Sequence, residues 1–183
     1  MKQDIQEIIE IPANVNIEID KNIVRASGEK GELEKKFVKV KKVKIEKQEK
    51  NIVIKAKNAT KREKKMIGTI RAHIANMILG VSKGFVYKLK ICSIHFPMSV
   101  SVAENEFIIK NFLGEIKERK AKILPCVEVK IEEDIVTVTS ADIESAGQTA
   151  SNIEAATKKK GKGLDKRVIQ DGIYITSKAG KEI

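Results

Sequence analysis

From Val15 to Ala26 the chain places apolar residues at nearly every second position, and Val43, Ile45, Ile52 and Ile54 continue the habit. Alternation of this kind marks strands with one buried face. From Thr60 the period changes to about 3.6: Ile67, Ile70, Ile74, Met77, Ile78 and Val81 form one apolar stripe of a helix. Thr60 and Glu63 have the spacing of a capping box, which predicts the helix start. Gly80 is the predicted stop.

The pattern then repeats. Pro12 and Pro97 are 85 residues apart, Gly31-Glu32-Leu33 and Gly114-Glu115-Ile116 are 83 apart, and Val43, Ile45, Ile52 and Ile54 match Val127, Val129, Val136 and Val138 at 84. A register held this well over some fifty positions predicts an internal duplication. In the second copy Asp142 is the candidate helix cap, and Ile143, Ala146, Ala150 and Ile153 share a face. Gly84 to Pro97 reads as a strand leading from one copy into the next, and Val168 to Ile175 as a closing strand equivalent to Phe85 to Ile91. Residues 176–183 read as a loose tail. "SGEKGE" at 27–32 and "KQEKN" at 47–51 are expected to be polar hairpin turns. The expected fold is α+β: a tandem duplication of a small antiparallel or mixed β-sheet domain covered by one α-helix, with units 1–84 and 85–183.

With 42% hydrophobic and 33% charged residues among 183, the chain can bury a core; aromatics are only 4%, so Ile, Val, Leu and Ala must supply most of it. A formal charge of +11 suits a partner rich in phosphate. Cys92 and Cys126 stand in apolar contexts without CxxC spacing and are expected to be buried thiols of a reducing compartment. The opening residues lack the apolar core of a signal peptide, and nowhere do 18 apolar residues run together. A soluble, cytoplasmic protein is expected.

Candidate chemistry is sparse. His73 and His95 lie in different copies outside any metal-ligand spacing, and both read as structural. Glu132-Glu133 and Glu104-x-Glu106 read as solvated turn acids. "GKGLDK" lacks the spacing of a phosphate-binding loop, and no common sequence-specific nucleic-acid module is present. No catalytic residue, cofactor or metal site is expected.

Basic residues are instead clustered. Lys35 to Lys50 holds eight lysines, Lys61 to Arg71 five basic residues, and Lys158 to Arg167 six against one acid. The first run alternates with Val and Ile, so a solvated sheet face and a binding face both fit. The second puts Lys61, Arg62, Lys64 and Lys65 in the first helical turns, where the macrodipole slightly disfavours cations. The third has Gly161 and Gly163 among its lysines, which allow close approach to a polyanion, and an ordered-looking segment follows it. It reads as a loop tethered at both ends.

At these residues the chain resembles a known family. The duplication, the "GxKGEL"-like turn at 28–33, "GQTASNIEAAT" at 147–157 and "DKRVIQDGIYI" at 165–175 are similar to the L-six family of large-subunit ribosomal proteins in its archaeal and eukaryotic form, the eukaryotic L-nine. "KGKGL" at 160–164 resembles the KGKG segment of bacterial relatives. The resemblance spans about Ile11 to Ile175. It implies a non-enzymatic constituent of the large ribosomal subunit at the base of the factor-binding stalk. That constituent would bind ribosomal RNA near the sarcin-ricin loop, mainly through its second domain, beside neighbouring ribosomal proteins. Lys158, Lys159, Lys160, Lys162, Lys166 and Arg167 would face RNA, and Gly161 and Gly163 would shape their loop. No membrane and no small-molecule substrate is implied. The alternatives are another RNA-binding protein, or an RNA-acting enzyme that uses its basic faces as a substrate track.

Overall fold

The computed structural model describes residues 3–20, 22–37, 42–48, 50–94, 96–159 and 168–183. They form two compact units, Met1–Gly84 and Phe85–Ile183. The first contains β1 (Gln3–Glu10), β2 (Asn16–Asp20), β3 (Ile23–Gly28), β4 (Gly31–Lys36), β5 (Val43–Gln48), β6 (Asn51–Ala59) and α1 (Lys61–Lys83). The second contains β7 (Phe85–Cys92), β8 (Ser99–Ala103), β9 (Glu106–Lys110), a 3-10 turn at Phe112–Gly114, β10 (Arg119–Lys122), β11 (Glu128–Glu132), β12 (Ile135–Ser140), α2 (Ile143–Ala156), β13 (Gly172–Lys178) and β14 (Lys181–Glu182).

The expected α+β duplication is present, with the strands of each copy divided between two antiparallel sheets. They run β1-β6-β5 and β2-β3-β4 in the first unit, and β11-β12-β7-β13-β14 and β10-β9-β8 in the second. The 84-residue register survives as cross-strand pairing: Ile45 faces Ile54 and Val129 faces Val138. Each unit packs its helix on its own core. The α1 stripe meets Ile17, Val24, Ile52 and Ile54, while Ala146, Ala150 and Ile153 of α2 meet Leu89, Phe107, Phe112 and Val138.

The helix starts follow from local chemistry. The Glu63 carboxylate accepts from the Thr60 N–H at 2.8 Å and from the Thr60 hydroxyl. Asp142 accepts from the amides of Glu144 and Ser145 at 3.2 and 3.1 Å, satisfying two otherwise unpaired donors of α2. Asp142→Ala is expected to lower stability by about 1 kcal/mol, read as a shift in urea midpoint at unchanged m-value.

Several expectations are corrected. Gly80 does not stop α1; it is buried inside the helix, which ends at Gly84, where φ is 76° and the N–H donates to the Gly80 carbonyl at 2.8 Å. The strand expected over 84–97 ends at Cys92, because the chain bends at Ile94, whose N–H donates to buried Asp171 at 2.6 Å. That strand is the centre of the second unit's larger sheet, pairing with β12 as β1 pairs with β6, so its counterpart is β1 and not the closing strand. The closing strand begins at Gly172; Val168 before it is exposed. The tail is a hairpin, because Ala179 and Gly180 both take positive φ (49° and 81°), as a tight turn requires, and Gly180 donates to the Val86 carbonyl. Cys126 is exposed and Cys92 half-buried. Pro125 and Cys126 form a turn with Cys126 at φ 62°, which takes its side chain out of the apolar alternation.

Gly28 shows why the turn motif at 28–33 needs glycine. A Cβ there would lie 2.7 Å from the Val81 carbonyl oxygen, which also accepts from the Lys30 N–H at 2.9 Å. The hairpin tip thus docks on the last turns of α1 through bare backbone. Gly28→Ala should cost about 1–3 kcal/mol by overpacking, measured by the same unfolding assay.

Candidate nucleic-acid interface

Helix α2 leads into Lys158 and Lys159, the first residues of the third basic run. Small residues let it lie close to the sheet: Ala146 and Ala150 are fully buried, and a Cβ on Gly147 would stand 3.1 Å from the Tyr87 hydroxyl. The helix ends at Ala156, and three independent ties hold the chain that leaves it. Buried Thr157 accepts from the Ile173 N–H at 3.0 Å and donates its hydroxyl to the Glu154 carbonyl at 3.0 Å. The Lys159 ammonium donates to the Ile169 carbonyl, joining the outgoing stem to the returning one. The third tie comes from Arg119 on β10, whose Nη1 donates to the carbonyls of Ala156 at 2.8 Å and Lys158 at 3.2 Å.

Arg119 is itself oriented. Its Nε and Nη2 donate to both oxygens of Glu115 at 2.8 and 2.6 Å, and its guanidinium carbon lies 4.3 Å from the centre of the Phe112 ring. The hydrogen bond from Arg119, with its charge, holds the Glu115 carboxyl below the usual glutamate range. A planar fork thus grips a carboxylate with one side and caps α2 with the other, where the helix has unpaired carbonyls and a partial negative charge. Nothing local in "ERKAK" signals this role.

On the returning side, Asp171 is buried against Ile94, and the Tyr174 hydroxyl donates to the Asp171 carbonyl at 3.4 Å. Burial pushes the Tyr174 phenol up. Between the stems lies a cleft of about 380 Å³ lined by Ser151, Glu154, Thr157, Lys158, Lys159 and Tyr174. Of the candidate site residues, Lys158 is exposed and Lys159 half-buried. Lys160, Gly161, Lys162, Gly163, Lys166 and Arg167 lie outside the described residues, as does His95. The described stems tie the two ends of that segment to one another.

The other basic runs differ in engagement. In the first, Lys35 lies 3.1 Å from Nδ1 of His73, and Lys47 donates to the Ile17 carbonyl at 2.7 Å. These lysines serve the first unit's own structure. His73 also stands 6.2 Å, centre to centre, from the Phe37 ring, in keeping with a structural histidine. Lys61, Arg62, Lys64 and Lys65 are exposed at the start of α1. Among the described residues no group of three His, Cys, Asp or Glu side chains could hold a metal ion, and no helix is long and apolar enough to cross a membrane.

Comparison with known proteins agrees with the duplicated architecture. The family model described as Ribosomal protein L6 matches twice, over residues 11–84 and 96–172. The chain is 46% identical over 178 residues to the large ribosomal subunit protein uL6 of Methanococcus vannielii, covering 97% of this chain and 96% of that one. It is 44% identical over 169 residues to the large ribosomal subunit protein uL6 of Aeropyrum pernix, covering 92% of each. Two copies of one fold, each matched by the same family model, and near full-length identity at this level lead to one conclusion: the chain belongs to the ribosomal protein L6 family.

Proposed function

We propose that this protein is a structural, non-catalytic constituent of the large ribosomal subunit in the cytoplasm. It binds ribosomal RNA mainly through its second unit, near the stalk base and the sarcin-ricin loop. The observation that carries the reading is the anchoring of the described residues on both sides of the basic segment. Thr157, Lys159 and Arg119 fix the two stems, so Lys158 and Lys159 meet RNA with part of their ordering entropy already spent in folding. Phosphate contact positions such a protein, and the shape of folded RNA supplies the selectivity, since base-stacking side chains are scarce.

The test is binding of the purified chain to large-subunit RNA across a potassium chloride series. For the variant carrying Lys158→Gln, Lys160→Gln and Lys162→Gln, the slope of log affinity against log salt should become shallower by about 2, since each phosphate left without its lysine takes roughly 0.7–0.9 from the slope. Lys159 is left in place because it also ties the stems. Unchanged affinity and slope would remove the loop from the interface.

A further inference from the structure

An edge strand exposes unpaired N–H and C=O groups on which another chain can add, and charged side chains along it are the usual protection. Four described sheets have eight edges. Seven of these, β1, β2, β4, β5, β10, β11 and β14, each carry at least two charged residues. The eighth, β8, reads Ser-Val-Ser-Val-Ala, with neither charge nor proline, and pairs with β9 without a register shift. In a chain that is 33% charged, this edge is chemically apart.

Hairpin geometry identifies the groups that face outward. The turn Glu104–Asn105 closes on the pair Ala103 and Glu106. The pair flanking a two-residue turn is hydrogen-bonded within the hairpin, and bonded and unbonded pairs alternate from there. Ser99, Ser101 and Ala103 therefore bond to β9, while Val100 and Val102 turn their N–H and C=O groups to the open edge. The first unit verifies this assignment. Ile17 lies three residues before the turn-flanking Asp20, as Val100 lies three before Ala103, and its carbonyl does point outward, where Lys47 donates to it at 2.7 Å. The first unit thus covers its matching edge with a lysine and adds Glu18 and Asp20. At the 84-residue offset Lys47 becomes Ile131, which packs on the second core and cannot serve as that cover.

We propose that the edge of β8 is a strand-addition site for an extended, uncharged segment of another polypeptide. Two donors and two acceptors alternating at the spacing of a strand fit a peptide backbone; an RNA backbone offers acceptor-only phosphates and single 2′-hydroxyls, which do not repeat that alternation. Val102 is 41% exposed on the same side as half-buried Val100, so the added strand places an apolar side chain beside it. A second copy of this chain brings its own charge of +11 and is disfavoured.

The partner is sought in the large subunit, so this inference rests on the proposed function. Hydrogen exchange is followed for the full chain, free and in purified large subunits. A photo-reactive group at Ser101 reports the neighbour, with and without Val102→Pro, which deletes one outward N–H and leaves the β8–β9 ladder. The expected result is that Val100 and Val102 amides exchange freely in the isolated chain and about a hundredfold slower in the particle. The Ser101 cross-link should go to protein and weaken with Val102→Pro. Protection already present in the free chain, unchanged exchange in the particle, dimers in sedimentation of the free chain, or a cross-link to RNA alone would each overturn the strand-addition site while leaving ribosomal membership intact. A chain that never enters the particle would overturn the proposed function and this inference together.

Discussion

An Arg119→Ala chain is expected to lose about 3 kcal/mol of stability in the second unit, because hydrogen bonds made by a charged group are worth about 1.5–3 kcal/mol and truncation leaves their partners unanswered. Four such bonds converge on this guanidinium, two to Glu115 and two to backbone carbonyls at the end of α2, and the Phe112 ring packs beside it. Urea unfolding monitored on the second unit checks the loss. Arg119→Lys should recover only a minor part, since an ammonium keeps the charge but cannot grip a carboxylate and two carbonyls in one plane. Acid supplies a second check. Arg119 depresses the Glu115 carboxyl in the folded state, so its stabilisation is complete above the ordinary glutamate value and is lost as pH falls through the depressed one. Wild type and Arg119→Ala should therefore converge in stability as pH is lowered through that range. At neutral pH the variant should also bind large-subunit RNA about tenfold more weakly, the cost of ordering one or two extra side chains in a loop stem that is no longer held. A stable variant with full affinity would show that the ties around the loop are not functional.

The contrast between what the sequence reveals and what it hides follows the range of the interactions. Asp142 and the Thr60–Glu63 pair are legible because a cap acts within three residues, and the duplication is legible because apolar positions that pair across strands, such as Ile45 with Ile54 and Val129 with Val138, must keep step. Gly80 misleads because a helix tolerates a buried glycine when the true cap, Gly84, stands one turn later. The tail reads as loose because its hairpin rests on two positive-φ residues, and only one of them is a glycine. Arg119 is hidden for a different reason. It reaches Ala156 across 37 positions, and nothing in its neighbourhood predicts that meeting. Lys159 is a mixed case: the family resemblance places it in the expected RNA-facing set, while the fold uses its ammonium to join the stems through Ile169.

The largest purely structural effect should come from Phe107→Ala, at about 3–5 kcal/mol, the range for removing a buried aromatic. Phe107 is 0% exposed on β9, the middle strand of its sheet, and belongs to the core that also receives Ile153 of α2 and Ala121 of β10. The close-packed core around it relaxes only in part into the void, so the cavity term adds to the forfeited transfer energy. Phe107→Leu keeps most of the volume and should cost under about 1.5 kcal/mol. Both variants are read by denaturant midpoint, with an unchanged slope showing that only stability moved. Their effect on RNA binding separates scaffold from contact surface. While the second unit remains folded, Phe107→Ala should keep the wild-type salt slope, because the loop lysines are untouched, and should lose affinity only as temperature or urea melts the unit. The lysine-to-glutamine variant should do the reverse, keeping the unfolding midpoint and losing salt slope. If Phe107→Ala changed the slope in the folded state, the core and the phosphate contacts would have to be coupled through the stems, and the loop could not be treated as an independently anchored element.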